Sequence, residues 1–175
     1  MKVVSKGPLL GLLLLAAPSV HADVVSSSAT HFVLRHEATT TLPADAAWER
    51  LVDPASWWHP DHTYSGDAAN LSLELEAGGL WREDWDGGSV AHGRVLMVAT
   101  GKALRMEAPF GPLQGVGAYT IWTITITPAE SGPGSVVIFD EIATGPPTAK
   151  LDELAPAVDY VKAEAMRRLT AVVAP

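Results

Sequence analysis

Apolar and polar residues alternate along several short stretches of the chain, and this period of two predicts β-strands. In the first stretch, residues 30–41, Phe32, Leu34 and His36 fall on one face. The same alternation recurs from residue 70 to residue 143, and a hairpin is predicted over residues 78–95. Apart from the first strand of this hairpin, the strands predicted in this part of the chain cover residues 70–76, 90–98, 102–108, 118–127 and 135–143. Short turns separate consecutive strands, so we expect an antiparallel meander.

Helical spacing of apolar residues marks two other regions. The segment PADAAWERLVD opens at Pro43 and places Trp48 and Leu51 on one stripe, and a short second helix is expected over residues 55–58. Near the C-terminus, apolar residues recur at intervals of three and four. We expect a helix of about 17 residues, about 25 Å long, that has Pro156 in its first turn and a separate short turn at residues 151–154.

The hairpin carries most of the candidate chemistry. Trp81, Glu83 and Trp85 alternate and share one face of its first strand. The sequence Asp86-Gly87-Gly88 is a turn signal. This face therefore carries a carboxylate between two indoles.

The register of the hairpin depends on where its two-residue loop begins. A Gly87-Gly88 loop places Glu83 opposite His92 and Trp81 opposite Arg94. A loop that begins at Asp86 shifts the partners by two but keeps the same faces. Both registers bring an imidazole and a guanidinium close to the carboxylate.

The N-terminus has the pattern of a secretory signal peptide. Lys2 and Lys6 precede an apolar run over residues 9–17, and Ala22 is a small residue suited to a cleavage site. We expect residues 1–22 to be removed, with no stable membrane insertion afterwards, and residues 23–175 to form one domain. Retention of the segment as an anchor is the alternative.

Charge and cysteine content narrow the class of protein. The net charge is −8 and no basic stripe is present, which argues against nucleic acid and anionic membranes as partners. The chain has no cysteine. An exported protein without disulfides is typical of a bacterial periplasm.

Several stretches of the chain together resemble the helix-grip superfamily known as SRPBCC. They are the helix pair PADAAWERLVDPASWW, the Gly78-Gly79 turn, the hairpin GGSVAHGRV, the loop FGPLQG and the final LDELAPAVDYVKAEAMRRL. This superfamily includes START domains, birch-pollen-allergen-like proteins, polyketide cyclase/dehydratase-like proteins and homologues of the heat-shock-protein ATPase activator. The resemblance implies an α+β helix-grip fold: a curved antiparallel sheet wrapped around a long C-terminal helix, with two short helices after the first strand. It also implies a largely apolar cavity between sheet and helix, but it assigns no catalytic residue.

The candidate binding residues are those expected to surround this cavity. Indoles supply rigid apolar surface and one N–H donor each. We expect four tryptophans to form walls, three polar residues to give specificity and two loop residues to lie at the rim: Trp58, Trp81, Trp85 and Trp122; Glu83, His92 and Arg94; and His62 and Tyr64. Core packing for the indoles, and a solvated cross-strand ion pair for Glu83, are the alternatives.

Two loops flank this predicted site. The sequence His59-Pro60-Asp61-His62 contains suitable metal ligands, but its spacing matches no zinc signature. We therefore expect neither a metal nor a cofactor. The Gly- and Pro-rich loop over residues 109–117 suits either an entrance to the cavity or an ordinary strand connection.

The function expected from this pattern is binding of a small hydrophobic or amphipathic molecule. The alternative is a polyketide cyclase/dehydratase-like enzyme in which Glu83 exchanges protons with His92 or with His62. A chaperone-interaction module is a third possibility, and export argues against it. The sequence names neither the ligand nor the oligomeric state.

Overall fold

The computed structural model describes residues 20–172, which form an α+β fold of eight strands and three helices. Of the predicted signal peptide, residues 1–19 lie outside the described residues. The elements are β1 Val20–Ser28, β2 His31–Thr40, α1 Ala44–Leu51, β3 Leu71–Leu73, β4 Leu80–Trp85, β5 Gly88–Ala99, β6 Ala103–Glu107, α2 Pro112–Gly115, β7 Tyr119–Pro128, β8 Ser135–Thr144 and α3 Leu151–Thr170.

All eight strands belong to one curved antiparallel sheet with the order β1-β2-β8-β7-β6-β5-β4-β3. The run from β3 to β8 is the predicted meander. The prediction missed β1, because the serine-rich segment that forms it shows no alternation. Its backbone nevertheless pairs with β2, from Val20 opposite Ala38 to Ser28 opposite His31.

One face of the sheet packs against α1 and α3. The face predicted for β2 is confirmed, since Phe32, Leu34 and His36 are all buried. The larger hydrophobic cluster contains α1 and most of the tryptophans, and the smaller one joins β2 to the start of α3. Among the described residues, no helix is long and apolar enough to cross a membrane.

The C-terminal helix is longer than the sequence predicts. It runs unbroken from Leu151 to Thr170, with Pro156 inside it. The expected separate turn at residues 151–154 is therefore wrong. Proline removes one helical hydrogen bond, to the carbonyl of Asp152. Asp152 and Pro156 are both exposed, so water can hydrate that carbonyl.

Two other elements are shorter than predicted. The second helix is a single 3₁₀ turn at Pro54–Ser56. The strand expected over residues 70–76 ends at Leu73 because the chain then folds into a turn. In this turn, the side chain of Glu74 accepts a hydrogen bond from the backbone of Leu80.

Candidate functional site

A cavity of about 360 Å³ lies between α3 and the sheet. Strands β5 and β8 contribute His92 and Glu141, while two loops close the remaining sides. The other lining residues are Trp58, His62, Thr63 and Tyr64 from the first loop, Phe110, Gly111, Pro112 and Leu113 from the second, and Leu154, Ala157, Val158, Val161 and Lys162 from α3. The predicted entrance loop thus borders a cavity.

The hairpin adopts the second of the two predicted registers. Trp85 pairs with Gly88 and Glu83 with Val90, so the loop is Asp86-Gly87. The register then shifts, because Arg82 pairs with Ala91 but Trp81 pairs with Gly93. His92 is therefore the extra residue of a β-bulge.

This bulge reverses the faces of the residues that follow it directly in β5, from Gly93 to Val95, before a second register shift at Leu96. Arg94 consequently points to the outer face, where it is 57% exposed and lies 3.3 Å from Glu107. The expectation that Arg94 shares the Glu83 face is wrong for this reason. Gly93 was the available signal, since glycine within a strand often marks a bulge. A Cβ at this position would lie 2.9 Å from the Glu107 carbonyl oxygen.

Glu83 is fully buried, and its carboxylate oxygens accept three hydrogen bonds. The donors are the backbone N–H groups of Tyr64 (3.0 Å) and Ser65 (2.5 Å) and the ring of His92, whose Nε2 lies 2.9 Å away. Burial alone would raise the pKa of Glu83. The hydrogen bonds from Ser65, Tyr64 and His92 outweigh burial and hold this pKa below its usual value.

The hydrogen bond to Glu83 fixes the orientation of the His92 ring. Burial lowers the pKa of His92, and the nearby Glu83 carboxylate only partly opposes this. Because an ionised carboxylate accepts but cannot donate, Nε2 carries the proton and Nδ1 carries a lone pair. This buried Nδ1 has no hydrogen-bond partner among the described residues.

A second buried pair, missed by the sequence reasoning, lies deeper in the site. Lys162 Nζ is 3.0 Å from Glu141 Oε2, and both side chains are 2% exposed. The ammonium also lies 3.2 Å from the ring centroid of Trp122. Burial lowers the pKa of Lys162, although Glu141 opposes the shift.

The sequence did contain signals for this pair. Lys162 interrupts the apolar stripe of α3 between Val158 and Ala165. Glu141 occupies an inward position of β8 between Phe139 and Ala143. A charged residue at an apolar position of each element was therefore visible, but nothing indicated that the two would meet.

The predicted tryptophans lie at different depths. Trp58 lines the cavity, while Trp81 and Trp122 lie one layer deeper, with ring centroids 5.2 and 5.7 Å from that of Phe110. Trp85 lies farther out than expected. Its ring stacks on Tyr64 at the rim and covers Gly88. Trp85 therefore supports a residue of the rim and does not itself line the cavity.

Histidines of the first loop join the rim to α3. His62 Nε2 lies 3.0 Å from one carboxylate oxygen of Glu164, and His59 Nε2 lies 3.6 Å from the other. Although burial opposes the effect, the His62 hydrogen bond and the His59 charge lower the pKa of Glu164. Within residues 20–172, no group of three or more potential ligands is placed to hold a metal ion.

Comparisons with known proteins inform the fold alone. No family model matches the chain, and no curated protein matches it. A solved structure from Rhodobacter sphaeroides is 19% identical, with a TM-score of 0.55, and the match covers 87% of this chain and 96% of that one. A protein from Chromobacterium violaceum is 21% identical, with a TM-score of 0.53 and coverages of 82% and 97%. A conserved protein of unknown function from Enterococcus faecalis is 12% identical, with a TM-score of 0.53 and coverages of 86% and 74%.

Proposed function

We propose that the cavity binds a small apolar or amphipathic molecule. The observation that carries the proposal is the combination of a mostly apolar cavity with a few buried polar groups around it, from Lys162, Glu141 and His92. Binding pockets for small molecules have this composition, and their volumes are typically about 300–1,000 Å³. The apolar part of the ligand would contact α3 and Trp58.

We further propose that the chain is an exported member of the SRPBCC superfamily with a helix-grip fold. The packing of α3 against the curved sheet supports this assignment, as do the sequence stretches that resemble the superfamily. The signal-peptide pattern of residues 1–22 supports export, and a chain without cysteine is compatible with a periplasmic location. Neither statement specifies a ligand, because this fold serves many functions.

Binding can be tested with N-phenyl-1-naphthylamine, an uncharged probe whose fluorescence rises in apolar surroundings. We expect saturable binding to the wild-type protein. Val161→Trp fills the cavity and should weaken binding at least tenfold. Ile142→Trp is the matched control, because Ile142 lies on the outer face and is 51% exposed. Equal binding by both variants would contradict the proposal.

A second candidate function is acid–base catalysis of the cyclase/dehydratase type, with His92 as the proton carrier. The unpartnered Nδ1 of His92, in an imidazole oriented by Glu83, favours this candidate. Native mass spectrometry of protein from its host would identify a co-purifying compound. If the protein is an enzyme, His92→Gln should abolish turnover of that compound while retaining its binding. A binding protein would leave the compound unchanged in both forms.

A further inference from the structure

The second loop, residues 109–117, contributes one ring to the cavity wall, that of Phe110. Phe110 stacks on Trp58 and on His92, with a centroid distance of 5.3 Å in each case. It makes edge-on contacts with Trp81 and Trp122. The Lys162 ammonium lies 4.7 Å from its centroid. A single loop side chain is thus surrounded by four rings and a cation.

The burial of these groups is uneven. Trp81 and Trp122 are fully buried and Trp58 and His92 nearly so, whereas Phe110 is only half-buried. Around Phe110 lie the buried polar atoms Nδ1 of His92 and Nζ of Lys162. Within the part of the chain that the structure describes, Nδ1 has no hydrogen-bond partner and Nζ has only its ion pair with Glu141. Phe110 therefore covers polar groups with which a phenyl ring cannot form ordinary hydrogen bonds.

The loop that carries Phe110 belongs to no strand and is anchored mainly through the buried side chain of Leu113. Gly111 follows it with φ 55° and ψ −126°, a conformation that favours glycine, and Pro112 opens the four-residue helix α2. A side-chain hydrogen bond from Gln114 to the Ala91 carbonyl, 2.7 Å long, ties the loop to the hairpin. Withdrawal of Phe110 would need rearrangement of this short segment while the sheet and α3 stay in place.

We propose that Phe110 occupies a subsite for a planar aromatic ring, and that the ligand's ring replaces it when the loop moves outward. This inference rests on the proposed binding function and specifies its ligand class. The ligand's ring would stack on Trp58 and His92 and lie near the Lys162 ammonium. A hydroxyl on that ring could donate to His92 Nδ1 or accept from Lys162 Nζ.

Matched probes test the ligand class. The compound 2-naphthol is planar and aromatic, whereas decahydro-2-naphthol has the same carbon skeleton and hydroxyl but no aromatic ring. We expect isothermal titration calorimetry to show at least tenfold tighter binding of 2-naphthol to the wild-type protein. Equal affinities would overturn the assignment of an aromatic subsite.

Fluorine NMR tests the movement of Phe110 itself. The chain has three phenylalanines, so labelling with 4-fluorophenylalanine gives three resonances, and Phe110→Leu assigns one of them. On saturation with 2-naphthol, the Phe110 resonance should shift more than those of Phe32 and Phe139, because its ring leaves the surrounding indoles. Binding that leaves the Phe110 resonance in place would overturn this inference but not the proposed function.

A variant removes the competing ring. Phe110→Ala should bind 2-naphthol at least tenfold more tightly than the wild type, because the ligand no longer displaces a side chain. Leu113→Ala is the control, since Leu113 is buried in the same loop and also lines the cavity. A similar gain in both variants would indicate a created void and overturn the inference. If neither the wild type nor Phe110→Ala binds N-phenyl-1-naphthylamine or 2-naphthol, the proposed function fails as well.

Discussion

Two buried carboxylates on the inner face of the sheet, Glu83 on β4 and Glu141 on β8, are held in different ways. Glu83 accepts two backbone hydrogen bonds and one from an imidazole, and so fixes the first cavity loop to the hairpin. Glu141 has only the ammonium of Lys162 beside it, 3.0 Å from Oε2, and its oxygens have no other hydrogen-bond donor within the described chain. The satisfied group stabilises the scaffold, whereas the unsatisfied pair retains hydrogen-bonding capacity beside the cavity.

The largest expected effect comes from breaking the unsatisfied pair. Lys162→Met leaves Glu141 buried without a cation, and we expect the free energy of unfolding at pH 7 to fall by roughly 3 kcal/mol. Replacing both residues, with Lys162→Met and Glu141→Leu, should recover most of this loss because neither charge is then buried alone. Urea unfolding measures both values. A double variant as unstable as the single one would contradict the comparison.

A smaller loss is expected from Glu83→Gln. The amide offers one acceptor oxygen where the carboxylate offers two, so at least one backbone donor of Tyr64 or Ser65 loses its partner. We expect unfolding to become easier by roughly 2 kcal/mol. Glu107→Gln is the control, since Glu107 belongs to an exposed outer pair and should change stability by under about 0.5 kcal/mol. Equal effects of the two substitutions would remove the distinction drawn for Glu83.

Stability should also depend on pH through His92. Burial lowers the pKa of His92 in the folded protein, so below about pH 6.5 the unfolded chain binds a proton that the folded protein resists. The free energy of unfolding is therefore highest near pH 7.5 within this range and declines as the pH falls towards 5.5. His36, whose pKa is lowered mainly by burial, acts in the same direction.

We expect His92 to account for about 1 kcal/mol of this decline. Urea unfolding of the wild type and of His92→Gln at both pH values measures the difference. An unchanged decline in the variant would show that His92 is not the group responsible. The lowered pKa of Glu83 adds a loss of the same sign, but only below about pH 4.5, outside this range.

The smallest effect is expected at Arg94. Its outward position and its exposed pair with Glu107 predict a change in stability of under about 0.5 kcal/mol for Arg94→Ala. Binding of N-phenyl-1-naphthylamine should stay within twofold of the wild-type value. A tenfold loss would mean that Arg94 reaches the cavity from the outer face.

The period-two pattern was enough to predict β2 and the strands from β4 to β8, because each of these strands buries one face. It was not enough for β1, whose serine-rich sequence shows no alternation although its backbone pairs with β2. The face of Arg94 depended on a single extra residue at His92, which hydrophobic spacing does not encode. Pro156 was interpreted as a helix boundary, although an exposed helix can tolerate one missing hydrogen bond.

The candidate site, too, could be predicted from the sequence only in part. The inward position of Glu83 followed from the alternation in β4, and the indoles beside it supported that interpretation. The meeting of Lys162 and Glu141 depends on how α3 lies across β8, which no local pattern specifies. Phe110 was part of a loop whose composition predicted an entrance but not which side chain would enter the core.

The sheet order has a consequence for how the chain folds. Strand β2 pairs along its whole length with β8, from His31 opposite Thr144 to Thr40 opposite Ser135. This ladder joins residues about a hundred positions apart, so the β1–β2 hairpin has no neighbour until nearly all of the chain has been synthesised. Such distant pairing slows folding, and folding on a timescale of about milliseconds to seconds is expected. During that interval the open edge of β2 is the part of the molecule most prone to pair with another chain.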